Sequence, residues 1–262
     1  KAILVVQVDT STGVVNDIPA IRGAIDASGH DALLMVDAIA SLCTMPFELD
    51  AWGVDVAVTG SQKGLMMPPG LSFCAAGPRA LEAHEHADLR TQYWDWTQRD
   101  GPEHYQKYCG TPPEHLLFGL EKALALILEE GLGKVFERHR LLAGAVRCAV
   151  EAWSDGGALE FNILEAEQRA DSLTTIRMRD GYEPKAVQAF CRDTCGVTLG
   201  AGIGELRDQV FRIALAHMGH VNAPMIFGAL GSVELALQAL KFPHGAGGVE
   251  AAVGWLSKEL EN

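Results

Sequence analysis

The chain has no long hydrophobic run, few basic residues and no repeated or low-complexity segment. None of its apolar stretches approaches the roughly 18–20 residues that a membrane-spanning helix needs. Its 21 Lys and Arg are outnumbered by 34 Asp and Glu, which gives a net charge of −13. Nucleic acids and anionic membrane surfaces attract basic proteins rather than acidic ones. The sequence therefore predicts neither a nucleic-acid partner nor a membrane partner.

Cysteine is scarce and scattered. The six cysteines do not form the closely spaced pairs of a disulfide framework, and Cys191 and Cys195 lack the second pair or the histidines of a zinc site. We expect no metal, and reduced thiols in a cytosol-like compartment. Residues 1–6 run directly into polar residues, which is not typical of a secretory signal. The expected location is the cytoplasm, with a peroxisomal location left open.

The chain does contain alternating strand-like and helix-like segments. Its 262 residues, 48% of them hydrophobic, suffice for a sizeable core. Short apolar, β-branched runs predict strands at 2–8, 32–36, 54–58 and 71–75, with helices near 17–28 and 78–86. This order predicts an α/β fold with a mostly parallel sheet and right-handed crossovers.

The second half has a different character. Long helical patterns cover residues 113–130 and 133–153, and strands and helices then follow at longer spacing. That arrangement is typical of a smaller α+β domain packed beside the first. We place the boundary near Glu130 and Gly131, which gives a large domain at 1–130 and a small C-terminal domain at 131–262.

An acid and an amine follow two of the predicted strands. Asp37 ends the run at 32–36, and Lys63 comes soon after the run at 54–58. The carboxyl ends of parallel strands form one rim, along which ligands bind. Pyridoxal phosphate needs a lysine amine for its aldehyde and a carboxylate for its pyridinium nitrogen. On spacing alone, a solvated loop lysine and a capping aspartate remain alternatives.

Residues 36–42, 52–65 and 68–71 together resemble the class V aminotransferases, and most closely the serine–glyoxylate and alanine–glyoxylate branch. The resemblance runs nearly end to end. It implies a fold type I enzyme with pyridoxal 5'-phosphate as cofactor. It also implies roughly another third of chain upstream, with the first strands, a phosphate-binding loop and an aromatic residue stacked on the cofactor.

The resemblance implies roles for the residues at the rim. Lys63 would bind the cofactor covalently and then move the proton between the substrate and the cofactor. Asp37 would hold the pyridinium N–H, and Gln62 would contact the cofactor beside Lys63. Thr10 would hydrogen-bond the cofactor from the loop after the first strand. One departure is Gln7, where related enzymes often have histidine.

The resemblance also implies site residues further along the chain, two of which would act across a subunit interface. Tyr108 and Thr111 would reach the cofactor phosphate of the other subunit in a homodimer with shared active sites. Arg212 would bind the substrate carboxylate as a bidentate fork. Relatives are shorter just after this arginine, so residues 213–220 are predicted to include a small insertion.

The resemblance implies a transaminase that takes a small amino acid and a 2-oxo acid. Glyoxylate is the expected amino acceptor and serine the favoured donor. Alanine–, aspartate– or ureidoglycine–glyoxylate transamination, or pyridoxamine–pyruvate transamination, remain alternatives. A hypothesis of another class is a catalytically silent fragment that serves dimer contacts.

Overall fold

The first sheet of the protein carries the predicted rim. The computed structural model describes residues 1–215 and 221–261, so residues 216–220 of the predicted insertion lie outside the described part. The sheet has the order β1-β2-β3-β4; β1, β2 and β3 run parallel, whereas β4 is antiparallel to β3. The strands are β1 Ala2–Val6, β2 Leu33–Asp37, β3 Val56–Gly60 and β4 Ser72–Ala76. The prediction of a mostly parallel sheet is confirmed.

One face of this sheet is covered by helix α1, Ile18–Ala27. The Asp17 carboxylate caps this helix by accepting from the backbone N–H of Ala20 at 2.9 Å. Its residues Ile18 and Ile25 pack on the apolar side chains of β2. The hydrophobic periodicity of the helix therefore fixes which face of the sheet is buried.

The opposite face of the first sheet is open. Leu4 is 79% exposed, and Val6 and Val58 are 39% and 38% exposed. Asp37 is paired with both Val6 in β1 and Val58 in β3. Paired residues of neighbouring strands project to the same side, so Asp37 belongs to this open face.

Helices connect the first sheet to the second. They are α2 Pro78–Glu85, α3 Trp96–Arg99, α4 His104–Tyr108, α5 Glu114–Glu130 and α6 Leu132–Ser154. The break between α5 and α6 is Gly131, whose φ of 87° favours glycine. The division into domains at this position stays a prediction. Within residues 1–215 and 221–261, no helix is both long enough and apolar enough to cross a membrane.

The second sheet is antiparallel and has the order β5-β6-β8-β7. Its strands are β5 Leu159–Phe161, β6 Leu173–Met178, β7 Gly200–Ala201 and β8 Val210–Ala214, and its helices are α7 Pro184–Cys195, α8 Ala223–Ala239 and α9 Gly248–Leu260. Trp153 of α6 is fully buried in its core. The indole N–H of Trp153 donates to Glu234 at 3.0 Å, which satisfies the polar end of this large side chain.

Candidate active site

Lys63 lies in a tight loop directly after β3. This loop is held by Ser61, which is buried and donates its hydroxyl to the carbonyl of Pro68 at 2.8 Å. The backbone N–H of Met66 donates to the carbonyl of Lys63 at 2.9 Å, which closes a turn around the lysine. Lys63 is therefore fixed near the carboxyl end of β3, at the same rim as Asp37.

The amine of Lys63 is half-buried and close to another cation. Burial lowers the pKa of Lys63, and the positive charge of Arg212 lowers it further. Both effects penalise the protonated amine. A larger fraction of neutral amine is then present at a given pH, which is the form that attacks a carbonyl.

Asp37 is the last residue of β2 and is half-buried. Its Oδ1 accepts a hydrogen bond from the backbone N–H of Ile39 at 2.8 Å, which orients the carboxylate. This contact matches the capping alternative for Asp37. It uses one carboxylate oxygen, Oδ1. The same aspartate can thus cap the turn and hold a cationic N–H.

Arg212 brings the second sheet to this rim. It lies in β8, where its Nε donates to the carbonyl of Ala201 at 2.8 Å. Its Nη1 donates to the carbonyl of Thr10 at 2.6 Å, across the gap between the two sheets. Burial lowers the pKa of Arg212, and the carboxylate of Asp9 opposes that effect. The guanidinium is therefore anchored from both sides and lies near Lys63.

The remaining predicted residues fall into two groups. Thr10 lies at the rim in the loop after β1. Gln62 lies beside Lys63 and folds over Gly60, where an added Cβ would be 2.7 Å from Oε1 of Gln62. Tyr108 ends α4 and Thr111 follows it on the surface. Within the described part of the chain, no hydrogen bond or ion pair joins the side chains of these last two residues to the others.

Two polar residues near the rim were not predicted as site residues. Oδ1 of Asp9 accepts from the backbone N–H of Ser11 at 2.6 Å, and its charge acts on Arg212. Gln7 is buried and donates to the carbonyl of Pro46 at 3.0 Å. Its Oε1 is buried without a hydrogen-bond partner in the described structure. Both residues lie within three positions of Thr10, which is the signal that the sequence offered.

A cavity of about 660 Å³ lies elsewhere, at the amino end of β3, and Arg22, Trp52 and Arg79 line it. None of the rim residues named above contributes to that lining in the described chain. Nor do the described residues contain a group of three or more His, Cys, Asp or Glu that could hold a metal ion. The chemistry of the rim is that of an amine, a carboxylate and a guanidinium.

These groups fit pyridoxal phosphate. The half-buried amine of Lys63 has the lowered pKa that attack on an aldehyde requires. The carboxylate of Asp37 lies on the open face of the sheet and can accept a pyridinium N–H. The donor set therefore matches the two functional ends of the cofactor ring.

Gly64, next to Lys63, packs closely against the backbone of Leu42, and a substitution there tests this packing. A Cβ at Gly64 would lie 2.1 Å from the carbonyl oxygen of Leu42, so the backbone would have to move. Gly64→Ala is expected to destabilise the protein by about 3 kcal/mol or more, as severe overpacking does. Urea unfolding measures the loss. Gly23→Ala is the matched control, since nothing lies within 4 Å of its Cβ, and an unfolding midpoint for Gly64→Ala equal to the control's would contradict the close contact.

Comparison with known proteins supports the same chemistry. Residues 1–214 match the family model described as aminotransferase class-V. The chain is 39% identical over 255 residues to the L-aspartate–glyoxylate aminotransferase of Paracoccus denitrificans, covering 96% of this chain and 62% of that protein. It is 39% identical over 265 residues to the serine–glyoxylate aminotransferase of Methylorubrum extorquens, covering 98% of this chain and 64% of that protein.

A solved structure gives the corresponding similarity in fold. The crystal structure of pyridoxamine–pyruvate aminotransferase from Mesorhizobium loti superposes with a TM-score of 0.86 at 30% identity, covering 98% of this chain and 65% of that chain. The chain thus spans less than two thirds of the length of these proteins. The family match covers both the rim of the first sheet and the strand that carries Arg212, and it confirms the resemblance read from the sequence. This chain belongs to the class V aminotransferases, a family of pyridoxal-phosphate-dependent enzymes with fold type I architecture.

Proposed function

We propose that this chain supplies the lysine, the ring-binding carboxylate and the substrate arginine of a pyridoxal-phosphate-dependent transaminase. Glyoxylate would be the amino acceptor and a small amino acid, serine in the first instance, the donor. The observation that carries the proposal is the convergence of Asp37, Lys63 and Arg212 at one rim. The lowered pKa of the Lys63 amine is the feature that a surface lysine would lack.

The chemistry divides between the cofactor and the protein. When bound, pyridoxal phosphate withdraws electrons from the substrate carbon that loses its proton. The neutral amine of Lys63 would take that proton from the substrate carbon and pass it on to the cofactor. The carboxylate of Asp37 keeps the ring nitrogen protonated, and Arg212 orients the substrate through its carboxylate. Gln62 and Thr10 border the space in which the ring would lie.

Arg212→Lys tests the substrate role. Lysine keeps the positive charge but loses the two-pronged fit to a carboxylate, so amino acid and 2-oxo acid should bind more weakly together. Losing one charge-assisted bond costs about 1.5–3 kcal/mol, which corresponds to a roughly ten- to hundredfold higher KM. Because the charge that lowers the pKa of Lys63 is kept, the pH profile and the cofactor absorbance should not change.

The exposed Arg207 provides the control for this experiment. Arg207→Lys is expected to leave KM unchanged, since its side chain lies outside the rim. If Arg212→Lys loses the cofactor yet binds both substrates normally, Arg212 does not bind the substrate carboxylate.

The amino donor can be assigned by single-turnover kinetics. Serine, alanine or aspartate is mixed with the cofactor-loaded protein, and the visible spectrum reports transfer of the amino group. Glyoxylate is then added to return the spectrum to its starting form. Aspartate is the second candidate donor, because one relative at 39% identity is named an aspartate–glyoxylate aminotransferase. Transfer from none of these donors would contradict the proposed activity and favour a catalytically silent chain.

The assembly proposed with this function is a homodimer in the cytoplasm. The segment around Tyr108 and Thr111 exposes large apolar side chains, among them Tyr93 and Trp94, at 58% and 76%. Exposed aromatic side chains of this kind favour a protein partner. Tyr108 and Thr111 would then complete the phosphate site of a second copy. Sedimentation velocity of the wild type tests the dimer, and a monomer at micromolar concentration would contradict it.

A further inference from the structure

The segment Thr10–Gly13, in the loop after β1, is held by side chains on or beside the second sheet and by the connection between β5 and β6. Successive backbone carbonyls accept hydrogen bonds from that sheet and its connections: Thr10 from Nη1 of Arg212 at 2.6 Å, Ser11 from Oγ1 of Thr175 at 3.5 Å, Thr12 from Nδ2 of Asn162 at 3.0 Å, and Gly13 from the N–H of Ala170 at 3.0 Å. The Ser11 contact is at the outer limit for a hydrogen bond. The other contacts fix the segment firmly.

Glycine at position 13 allows this close approach. Gly13 has a φ of 80°, and a Cβ there would lie 3.3 Å from Oγ1 of Thr175. The next residues continue the contact, since the N–H of Val15 donates to the carbonyl of Gln168 at 2.8 Å. The segment therefore packs, through its backbone, against residues 168–170 in the connection between β5 and β6, although it follows β1 of the first sheet in sequence.

The side chain of Asn162, which donates to the carbonyl of Thr12, is itself oriented by hydrogen bonds. Its Oδ1 accepts from Nη2 of Arg177 at 2.9 Å, which orients the amide. Its backbone N–H donates to the carbonyl of Thr175 at 3.1 Å, which fixes the residue beside β6. The amide nitrogen is thus directed at the carbonyl of Thr12.

Thr10 links the two halves of the proposed site. Its carbonyl anchors Arg212, and its hydroxyl is the group proposed to contact the cofactor. A shift of the segment would move both together. We infer that Asn162 is a positioning residue that holds Thr10–Gly13 in register, and so places Thr10 and Arg212 for cofactor and substrate. The expected effect on cofactor and substrate binding rests on the proposed function. The positioning of Thr10–Gly13 rests on the hydrogen bonds alone.

Asn162→Asp separates positioning from general stability. Aspartate has the same shape and can still accept from Arg177, with the added attraction of opposite charges. It cannot donate to Thr12, and its oxygen would face the carbonyl there. A role in stability alone therefore predicts faster exchange over the whole protein and a lower thermal midpoint, whereas a positioning role predicts a loosened segment in a protein of normal stability.

Three measurements on the purified protein test this. Hydrogen exchange of peptides covering residues 9–15 is expected to accelerate about three- to tenfold in Asn162→Asp, as the loss of one hydrogen bond implies. The dissociation constant for pyridoxal phosphate, from absorbance titration, is expected to rise by about the same factor. The thermal midpoint should stay within about 2 °C of wild type.

Glu160→Gln is the matched control. Glu160 lies in β5, two residues before Asn162, and pairs with Arg179 at 2.9 Å. It has no hydrogen bond or ion pair with Thr10–Gly13 in the described structure. It should change neither segment exchange nor cofactor binding. Asn162→Ala, which removes the donor without placing an oxygen against Thr12, is measured as well and settles the question if the aspartate variant does not fold.

The outcomes are distinct. Unchanged exchange of residues 9–15 in both Asn162 variants overturns the inference, as does faster exchange with unchanged cofactor affinity. Exchange that rises over the whole protein, with a lower midpoint, assigns Asn162 to stability alone and also overturns it. A wild type that takes up no pyridoxal phosphate contradicts the proposed function instead, and exchange of the segment then decides alone whether Asn162 positions it.

Discussion

Lys63→Ala is expected to abolish covalent cofactor attachment and reduce transamination by roughly 10²–10⁴-fold or more, since proton transfer by a positioned side chain alone contributes that much. The fold should survive, because Lys63 lies in a loop after β3 and contributes only part of its side chain to buried contacts. The visible absorbance of lysine-bound pyridoxal phosphate should disappear with the activity. Borohydride reduction, followed by peptide mapping, should fix the cofactor on the wild-type peptide that contains Lys63.

Lys122→Ala is the control for this experiment, since Lys122 is an exposed lysine in α5, away from the rim. It should keep both absorbance and turnover. Circular dichroism of the two variants should match that of the wild type. Turnover of Lys63→Ala within tenfold of wild type, or borohydride labelling of another lysine, would remove Lys63 from the catalytic role.

The position of Asp37 followed directly from the sequence, and that of Lys63 less accurately. The run 32–36 ends one residue before β2, Leu33–Asp37, does, so Asp37 was correctly placed at the strand end. The run 54–58 predicted a strand that begins two residues earlier than β3, Val56–Gly60. The reason is Asp55, a buried carboxylate that accepts from the N–H of Leu34 at 2.8 Å and pairs with Arg79 at 3.1 Å. Apolar character alone could not reveal that this residue anchors the turn before the strand.

The segment before α5 shows a second limit. The sequence patterns predicted no helix between residues 86 and 113, but this stretch contains the short helices α3 and α4. Helix α4 spans five residues, and a capping box between Glu103 and Gln106 lies at its amino terminus. So short a helix has too few turns for a hydrophobic period. The capping pair was the signal available, and it is a weak one without an apolar run after it.

Sequence patterns could not predict the contacts between the two sheets. The bond from Asn162 to Thr12 joins residues 150 positions apart, and that from Arg212 to Thr10 joins residues 202 apart. Local periodicity places each residue on its own strand or loop, but the contact between those elements depends on how the two sheets and their connections pack. For Arg212 the resemblance to a known family supplied a role. For Asn162 only the structure shows the contact.

Asp37→Asn is expected to slow the half-reaction by on the order of 10³-fold or more, a loss of about 4 kcal/mol in the barrier. A neutral amide cannot hold the ring nitrogen protonated, so the negative charge formed when the substrate carbon loses its proton is stabilised less. The fold should not change, because the amide oxygen of asparagine can accept the N–H of Ile39 as Oδ1 does now. The effect should therefore appear in rate and in the cofactor spectrum but not in unfolding.

Stopped-flow measurement of the first half-reaction, with a saturating amino acid donor, isolates this step from product release. Asp50→Asn serves as the control, since Asp50 is exposed and lines the cavity at the amino end of β3 rather than the rim. If both variants transfer the amino group at the wild-type rate, the Asp37 carboxylate only accepts the backbone N–H of Ile39 and caps that turn. The pyridinium nitrogen must then be held by a group other than the Asp37 carboxylate.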